Sequence, residues 1–298
     1  MTHALYGTIP HWITPPASAV QYAPLIAGAE ALEACAHSSL SGLTMLAPPG
    51  TIERRYAMAL AMRALAPGAT FTILAPKDKG GARIAAELDA FGCNAMEDSK
   101  QHHRICTGLR PALLHIDEAL AEGAPHFSEA LGMWTQPGVF SWDRIDVGSA
   151  LLVKHLPPLR GRGADLGCGI GFLSRTVLAS PDVTHLTLVD IDRRAVAMAE
   201  KNVEPERTSI RWADATSQAA LSALDFVVMN PPFHDGGIED RALGQAFIRA
   251  AASSLRKGGS CWLVANRHLP YEAVMQPLFA RVTLIAETDG FKLYEAIK

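Results

Sequence analysis

Long apolar runs are missing from this 298-residue chain. No window reaches the length that a bilayer-spanning helix requires, so no membrane span is expected. Cysteine is scarce as well. The five cysteines, at 35, 93, 106, 168 and 261, form no C-x-x-C pair and no metal-ligand spacing. That pattern excludes a disulfide scaffold and a metal site, and it reads as reduced, mostly buried thiols of a cytoplasmic protein. The opening MTHALYGTIPHW has no basic segment followed by an apolar one, so no secretory leader is expected. An excess of either charge is also lacking. The net charge is −3, with 10 Lys and Arg against 14 Asp and Glu up to residue 150 and 17 against 16 beyond it. A polyanionic partner would therefore meet local patches and no global field. The length suits two domains better than one core.

What is present is a repeated alternation of short apolar runs and helical stretches, which indicates an α/β protein. In the first half the pattern predicts a short helix across Leu25–Cys35, a strand at Leu43–Ala47 and a helix over Glu53–Leu65. A strand at Thr70–Leu74, a helix over Ala82–Phe91 and a strand at Ala112–Ile116 follow. His102–His103–Arg104 reads as a solvated loop. Gln136–Gly148 is polar, contains Pro and Gly, and marks the boundary between domains 1–136 and 137–298. The second half predicts a helix over Ser149–Leu156 with Asp146 as its cap, a strand Gly163–Leu166 and a helix Phe172–Leu178. Strands Leu186–Val189, Ile210–Ala213, Phe226–Met229 and Ser260–Ala265 follow, with helices Ala195–Asn202 and Arg241–Leu255 between them. Val282–Glu287 and Phe291–Ile297 close the chain as a hairpin. Aligning Ala75–Gly81 with Leu166–Gly171 suggests an internal duplication whose first copy has lost its glycines.

Two stretches carry chemistry. Asp165-Leu-Gly167-Cys168-Gly169-Ile-Gly171 follows a strand and opens a helix, so a ligand can approach its backbone closely. The dinucleotide fingerprint would need glycine where Phe172 sits. Asp165 favours a ligand with a cationic amino group over one with a pyrophosphate. Cys168 is small enough for the loop and is not read as a nucleophile. Asp190, at the end of the next strand and followed by Ile191, can accept from two ribose hydroxyls. Asp214, followed by Ala215, can receive an adenine amine. The second stretch, DFVVMNPPFH, is a buried strand stopped at Asn230-Pro231-Pro232, because neither proline has an N–H for a ladder. An exocyclic amine is a poor nucleophile until two acceptors at its N–H bonds favour a pyramidal nitrogen. The Asn230 side-chain oxygen and the Pro231 carbonyl can be those acceptors, and Phe233 can stack on the ring. Read alone, the same stretch is a proline-rich turn.

Together these motifs resemble the class I S-adenosylmethionine-dependent methyltransferases over about residues 137–298. The closer resemblance is to the ribosomal RNA small subunit methyltransferase C family, through GVFSWDRIDVGSALL, DLGCGIG, NPPFHDG and LPY…GFKLYEAIK. It implies two tandem Rossmann-like methyltransferase domains. The first would be degenerate and bind no cofactor; the second would hold a seven-stranded, mostly parallel sheet with an antiparallel terminal hairpin. It also implies methylation of the N2 amine of a guanine in 16S rRNA or the 30S subunit, by a monomer that uses no metal. Asp165, Gly167, Cys168, Gly169 and Gly171 would hold the methionyl end, Asp190 and Ile191 the ribose, and Asp214 and Ala215 the adenine. Asn230, beside the cofactor, with Pro231, Pro232 and Phe233 would hold the guanine. The competing readings are an N-methyltransferase acting on DNA adenine or protein glutamine, and an inactive cofactor-binding RNA scaffold.

Overall fold

The computed structural model describes residues 2–217, 221–232, 234–235, 238–239 and 241–298. Contacts divide the chain into two compact units, Met1–Pro125 with Gln136–Gly138 and His126–Thr135 with Val139–Lys298.

The first unit contains β1 (Thr2–Tyr6), β2 (Val20–Tyr22), β3 (Leu40–Leu46), α1 (Thr51–Ala64) and β4 (Leu65–Pro76). It continues through α2 (Ile84–Ala90), β5 (Ala95–Lys100), β6 (His103–Leu109) and α3 (Asp117–Gly123). Its six-stranded sheet runs β2-β1-β3-β4-β6-β5. The first four strands are parallel, and β6 and β5 are antiparallel.

Three expectations fail in this unit: His103 and Arg104 open β6 where a loop was expected, and two predicted elements do not form. Leu25–Cys35 is not a helix; only Leu32–Ala34 makes a single 3-10 turn. Its Ala-rich composition favours a helix, but Gly28 turns the chain at φ 79 and the Glu30 N–H is drawn to the Gln21 carbonyl at 2.9 Å. Tertiary pairing has overridden a weak propensity. Ala112–Ile116 is not a strand either. Its expected place in the sheet is taken by the β5–β6 hairpin, which turns at Gln101 and His102 with φ of 45 and 60. Neither residue advertises such a turn, and most of β5 is exposed, so it lacks apolar alternation.

The second unit begins with a small hairpin, β7 (His126–Ser128) and β8 (Met133–Thr135). Then come α4 (Val147–His155), β9 (Gly161–Leu166), α5 (Phe172–Leu178), β10 (Val183–Asp190), α6 (Arg193–Asn202), β11 (Thr208–Trp212) and β12 (Leu224–Met229). A short antiparallel pair, β13 (His234–Asp235) and β14 (Ile238–Glu239), precedes α7 (Arg241–Ser254) and β15 (Leu255–Asn266). The chain ends with α8 (Glu272–Met275), β16 (Arg281–Thr288) and β17 (Phe291–Ile297). The seven strands run β11-β10-β9-β12-β15-β17-β16, parallel up to β15, with the last two antiparallel. This is the α/β architecture with a terminal hairpin that the sequence led us to expect.

Both faces of this sheet are covered. Along β12, Val227 and Met229 join one apolar cluster with α7, while Phe226 and Val228 join another with α4 and α5. A strand buried on both faces needs no polar alternation, which is why FVVM reads as a continuous apolar run.

The two sheets share a strand order once β11 is set aside. β1, β2, β3, β4, β5 and β6 correspond to β9, β10, β12, β15, β16 and β17. Ala75–Gly81 follows β4 and so corresponds to the segment after β15. The alignment with Leu166–Gly171 was therefore wrong, because both are βα steps and sequence alone does not say which step of the sheet each occupies. The segment that does correspond to the glycine loop follows β1. Gly7 has φ 76 where Gly167 has 75, and its N–H bonds the Tyr22 carbonyl as that of Gly167 bonds Val189.

Candidate functional site

The carboxyl ends of β9, β10 and β12 converge in the second unit. There an open cleft of about 500 Å³ is lined by Gly167, Cys168, Gly169, Asn230, Asp146 and Ser149, among others. Open parallel sheets bind ligands at such strand ends because loops diverge there and leave backbone groups unpaired.

The glycine loop is built by backbone geometry. Gly167, Gly169 and Gly171 all have positive φ, at 75, 53 and 88. A side chain at Gly169 would meet nothing within 4 Å, so the space beside it is open to a ligand. At Gly171 it would meet Val203 at 3.3 Å, so that glycine serves packing. Beneath the loop lies Asp165, fully buried. Its Oδ2 accepts from the Ser174 hydroxyl at 2.6 Å, while Oδ1 is buried without a partner. Burial pushes its carboxyl up to about 7, and the nearby Asp190 charge adds to the rise against the Ser174 hydrogen bond. Such an orphaned carboxylate oxygen fits a cationic ligand group, which would repay its desolvation.

Asp190 closes the loop from the other side. It accepts from the Gly169 N–H and from the Asp192 N–H, both at 2.8 Å. Burial raises it to about 6, although these backbone donors favour the charged form. Cys168 is buried, and its thiol is pushed well above the usual range by burial and then by the Asp190 and Asp165 charges. It stays protonated and is no nucleophile.

Of the expected cofactor residues only Gly167, Cys168, Gly169 and Asn230 line the cleft; Asp165, Gly171 and Asp190 stand behind the loop, and the rest lie elsewhere. Ile191 is exposed, and its carbonyl accepts from the Trp212 indole at 2.8 Å. Asp214 is exposed and its Oδ1 accepts from the Thr216 N–H and hydroxyl at 2.8 and 2.7 Å, which caps the turn at Ala215–Ser217. Ala215 is buried in the core.

Asn230 stands where β12 ends. Its amide nitrogen donates to Asp146 Oδ2 at 2.8 Å and lies 2.9 Å from the Ser149 hydroxyl. Its Oδ1 is buried and without a partner. Pro231 is buried and Pro232 is exposed. Phe233 lies outside the described residues.

Sequence reasoning missed three partners. Asp146 was read as a cap, and it does accept from the Ser149 N–H at 2.7 Å. Its contact with a side chain 84 residues away has no local signal. Ser174 under Asp165 and Asn202 were not singled out. Asn202 joins the hairpin to the glycine loop, accepting from the Trp134 N–H at 2.7 Å and donating to the Ile170 carbonyl at 2.9 Å.

A family model for the methyltransferase small domain matches residues 130–295. Ribosomal RNA small subunit methyltransferase C of Shewanella loihica is 33% identical over 260 residues, covering 80% of this chain and 72% of its own length. The chain belongs to the ribosomal RNA small subunit methyltransferase C family. The relative of that name from Shewanella halifaxensis is 37% identical over 164 residues, about half of each chain at 54% and 48%. The fold also matches a T. thermophilus 16S rRNA N2 methyltransferase solved in complex with AdoMet and guanosine. The TM-score is 0.80 at 22% identity, covering 100% of this chain and 88% of that one. As a member of that family, this chain is a methyltransferase. Among the described residues no helix is long and apolar enough to cross a membrane, and no cluster of His, Cys, Asp and Glu is placed to hold a metal.

Proposed function

We propose that the second unit methylates the N2 amine of a guanine in 16S rRNA, and that the first unit binds no cofactor. The observation that carries the reading is the pairing, across one cleft, of a glycine loop over a buried carboxylate with an amide oxygen that has no partner.

In this mechanism the Asp165 carboxylate holds the cofactor's ammonium, and the open side of Gly169 admits its backbone. Asp190 keeps the loop in register through the Gly169 N–H and offers its remaining lone pairs to the ribose hydroxyls. Ile191 would stand on the ribose side, and Asp214 and Ala215 on the adenine side. S-adenosylmethionine supplies an electrophilic methyl on a sulfonium. Asn230 Oδ1 and the Pro231 carbonyl accept the two N–H bonds of the target amine, which directs its lone pair into the cleft. The stiff Pro231-Pro232 step holds these acceptors still, so that orientation and fixed dipoles do most of the work. From its place in the motif alone, Phe233 is the ring assigned to stack on the base.

A reducing cytoplasm suits the five free cysteines. Tritiated S-adenosylmethionine offered with 30S subunits, free 16S rRNA, DNA and protein extract tests the reading. Label is expected in N2-methylguanine of 16S rRNA. Label in adenine of DNA or in glutamine of protein, with none in rRNA, would overturn it.

A further inference from the structure

We propose that Asp146 and Ser149 are positioning residues that lock the Asn230 amide in one of its two flip states, with its oxygen turned to the substrate. This rests on the reading of Asn230 as an acceptor for the target amine. A primary amide is nearly isosteric under a 180° flip, yet its two ends have opposite hydrogen-bonding character. An acceptor in the cleft is useful only if the nitrogen is held elsewhere.

The N-terminus of α4 does that. Asp146 Oδ2 acts as an acceptor, since it takes the Ser149 N–H, and it faces Asn230 Nδ2 at 2.8 Å. Ser149 Oγ takes up the same nitrogen at 2.9 Å. The flipped amide would set its oxygen against the carboxylate oxygen at that distance, which like charge forbids. Both N–H bonds of Nδ2 are thereby used, and Oδ1 stays buried with no partner. Asp146 is itself fixed, since the same Oδ2 accepts the Ser149 N–H at 2.7 Å. A carboxylate bonded to an amide N–H also draws the amide toward its charge-separated form, which strengthens the oxygen as an acceptor. The first turn of α4 and the end of β12 are thus joined into one device.

The test uses the full chain and 30S subunits lacking the modification. Asp146→Ser keeps a hydroxyl to cap the Ser149 N–H but is too short to hold Asn230. Ser149→Ala removes the second acceptor and leaves the cap intact. Single-turnover methyl transfer at saturating cofactor should fall about 10- to 100-fold in Asp146→Ser and about 3- to 10-fold in Ser149→Ala. Cofactor affinity and melting temperature should stay near wild type in both. In an Asn230→Ala background neither change should cost anything further, which a purely structural role would not produce. In the cofactor-free protein, the Asn230 side-chain amide resonance, assigned by its loss in Asn230→Ala, should move in both variants. If Asp146→Ser does not fold, Ser149→Ala decides alone. A slow Asn230→Ala beside positioning variants at wild-type speed would overturn this proposal and leave the acceptor reading standing. Additive losses would overturn it too. Asn230→Ala at wild-type speed would remove the acceptor reading, and this proposal with it.

Discussion

The two units carry the same strand order and opposite chemistry at the ends of their strands. Ladder register fixes the correspondence: Tyr6 pairs with Tyr22 and Met45, as Leu166 pairs with Val189 and Met229. Leu5 therefore stands where the second unit has Asp165, Ala23 where it has Asp190, and Leu46 where it has Asn230. Counting on from Gly7, Ile9 stands in place of Gly169, so a side chain occupies the backbone's approach to a ligand. No helix joins β1 to β2, and the first sheet has no counterpart of β11. The right-hand side of the sheet is kept faithfully. α1 and α7 each have 14 residues, and Gly68 and Gly258, each the fourth residue of the strand that follows, have φ of 80 and 78. The comparison teaches that a shared strand order leaves the residues at the strand ends free to differ.

Inside the first unit an ion pair lies at the strand ends. Arg54, fully buried, donates to Glu87 at 2.8 and 2.6 Å and to the Pro49 carbonyl at 2.8 Å. The largest effect we expect comes from breaking it. Arg54→Ala should cost about 3–5 kcal/mol, because it leaves Glu87 and a carbonyl unpaired in a dry site. Urea unfolding reads the loss, and calorimetry should find the cofactor dissociation constant of the native protein unchanged. A weakened cofactor would show that the first unit shares in the binding the comparison denies it.

Asn230→Ala removes the group whose counterpart is Leu46. Methyl transfer per folded molecule should fall by ~10²–10³-fold with cofactor affinity nearly intact. Asp190→Ala installs the residue the first unit carries at Ala23. It should weaken cofactor binding by about 1–3 kcal/mol, the value of charge-assisted bonds to two hydroxyls, and an unchanged dissociation constant would remove Asp190 from the site.

The smallest effect is a pH slope. Asp165 lies at about 7 in the folded cofactor-free protein against 3.8 as a free side chain. The folded state therefore holds a proton that the unfolded chain releases, and stability falls as pH rises from about 4 to about 7. Asp190, raised to about 6, adds to the slope in the same direction. Asp165→Asn should melt close to wild type near pH 4 and a few degrees above it near pH 8, as read by calorimetry without cofactor. Equal slopes in the two proteins would show that Asp165 ionises as freely as an exposed carboxyl.

The second unit was the legible one because its signals are local. A glycine loop between FVVM-like apolar strands, a carboxylate closing β10 and a proline pair closing β12 each lie within a few residues of chain. The first unit was misread where long-range pairing decided the outcome. Helix-favouring residues at Leu25–Cys35 are held in a turn by Gln21, and the β5–β6 hairpin turns on Gln101 and His102 without glycine.

Sequence alone determined the α/β class, the order of α4 to α7 and of the seven strands of the second sheet, and the types of residue at the ends of β9, β10 and β12. Those follow from hydrophobic periodicity and backbone punctuation, which act over a few residues. Tertiary structure decided which βα steps of the two units correspond, because that depends on strand register across the sheet. It also decided that 126–135 packs with the second unit, through Asn202 and the Trp134 backbone. Tertiary structure alone brought the Asn230 amide nitrogen to Asp146 and Ser149, because those contacts close across 84 and 81 residues of chain and no local pattern signals them.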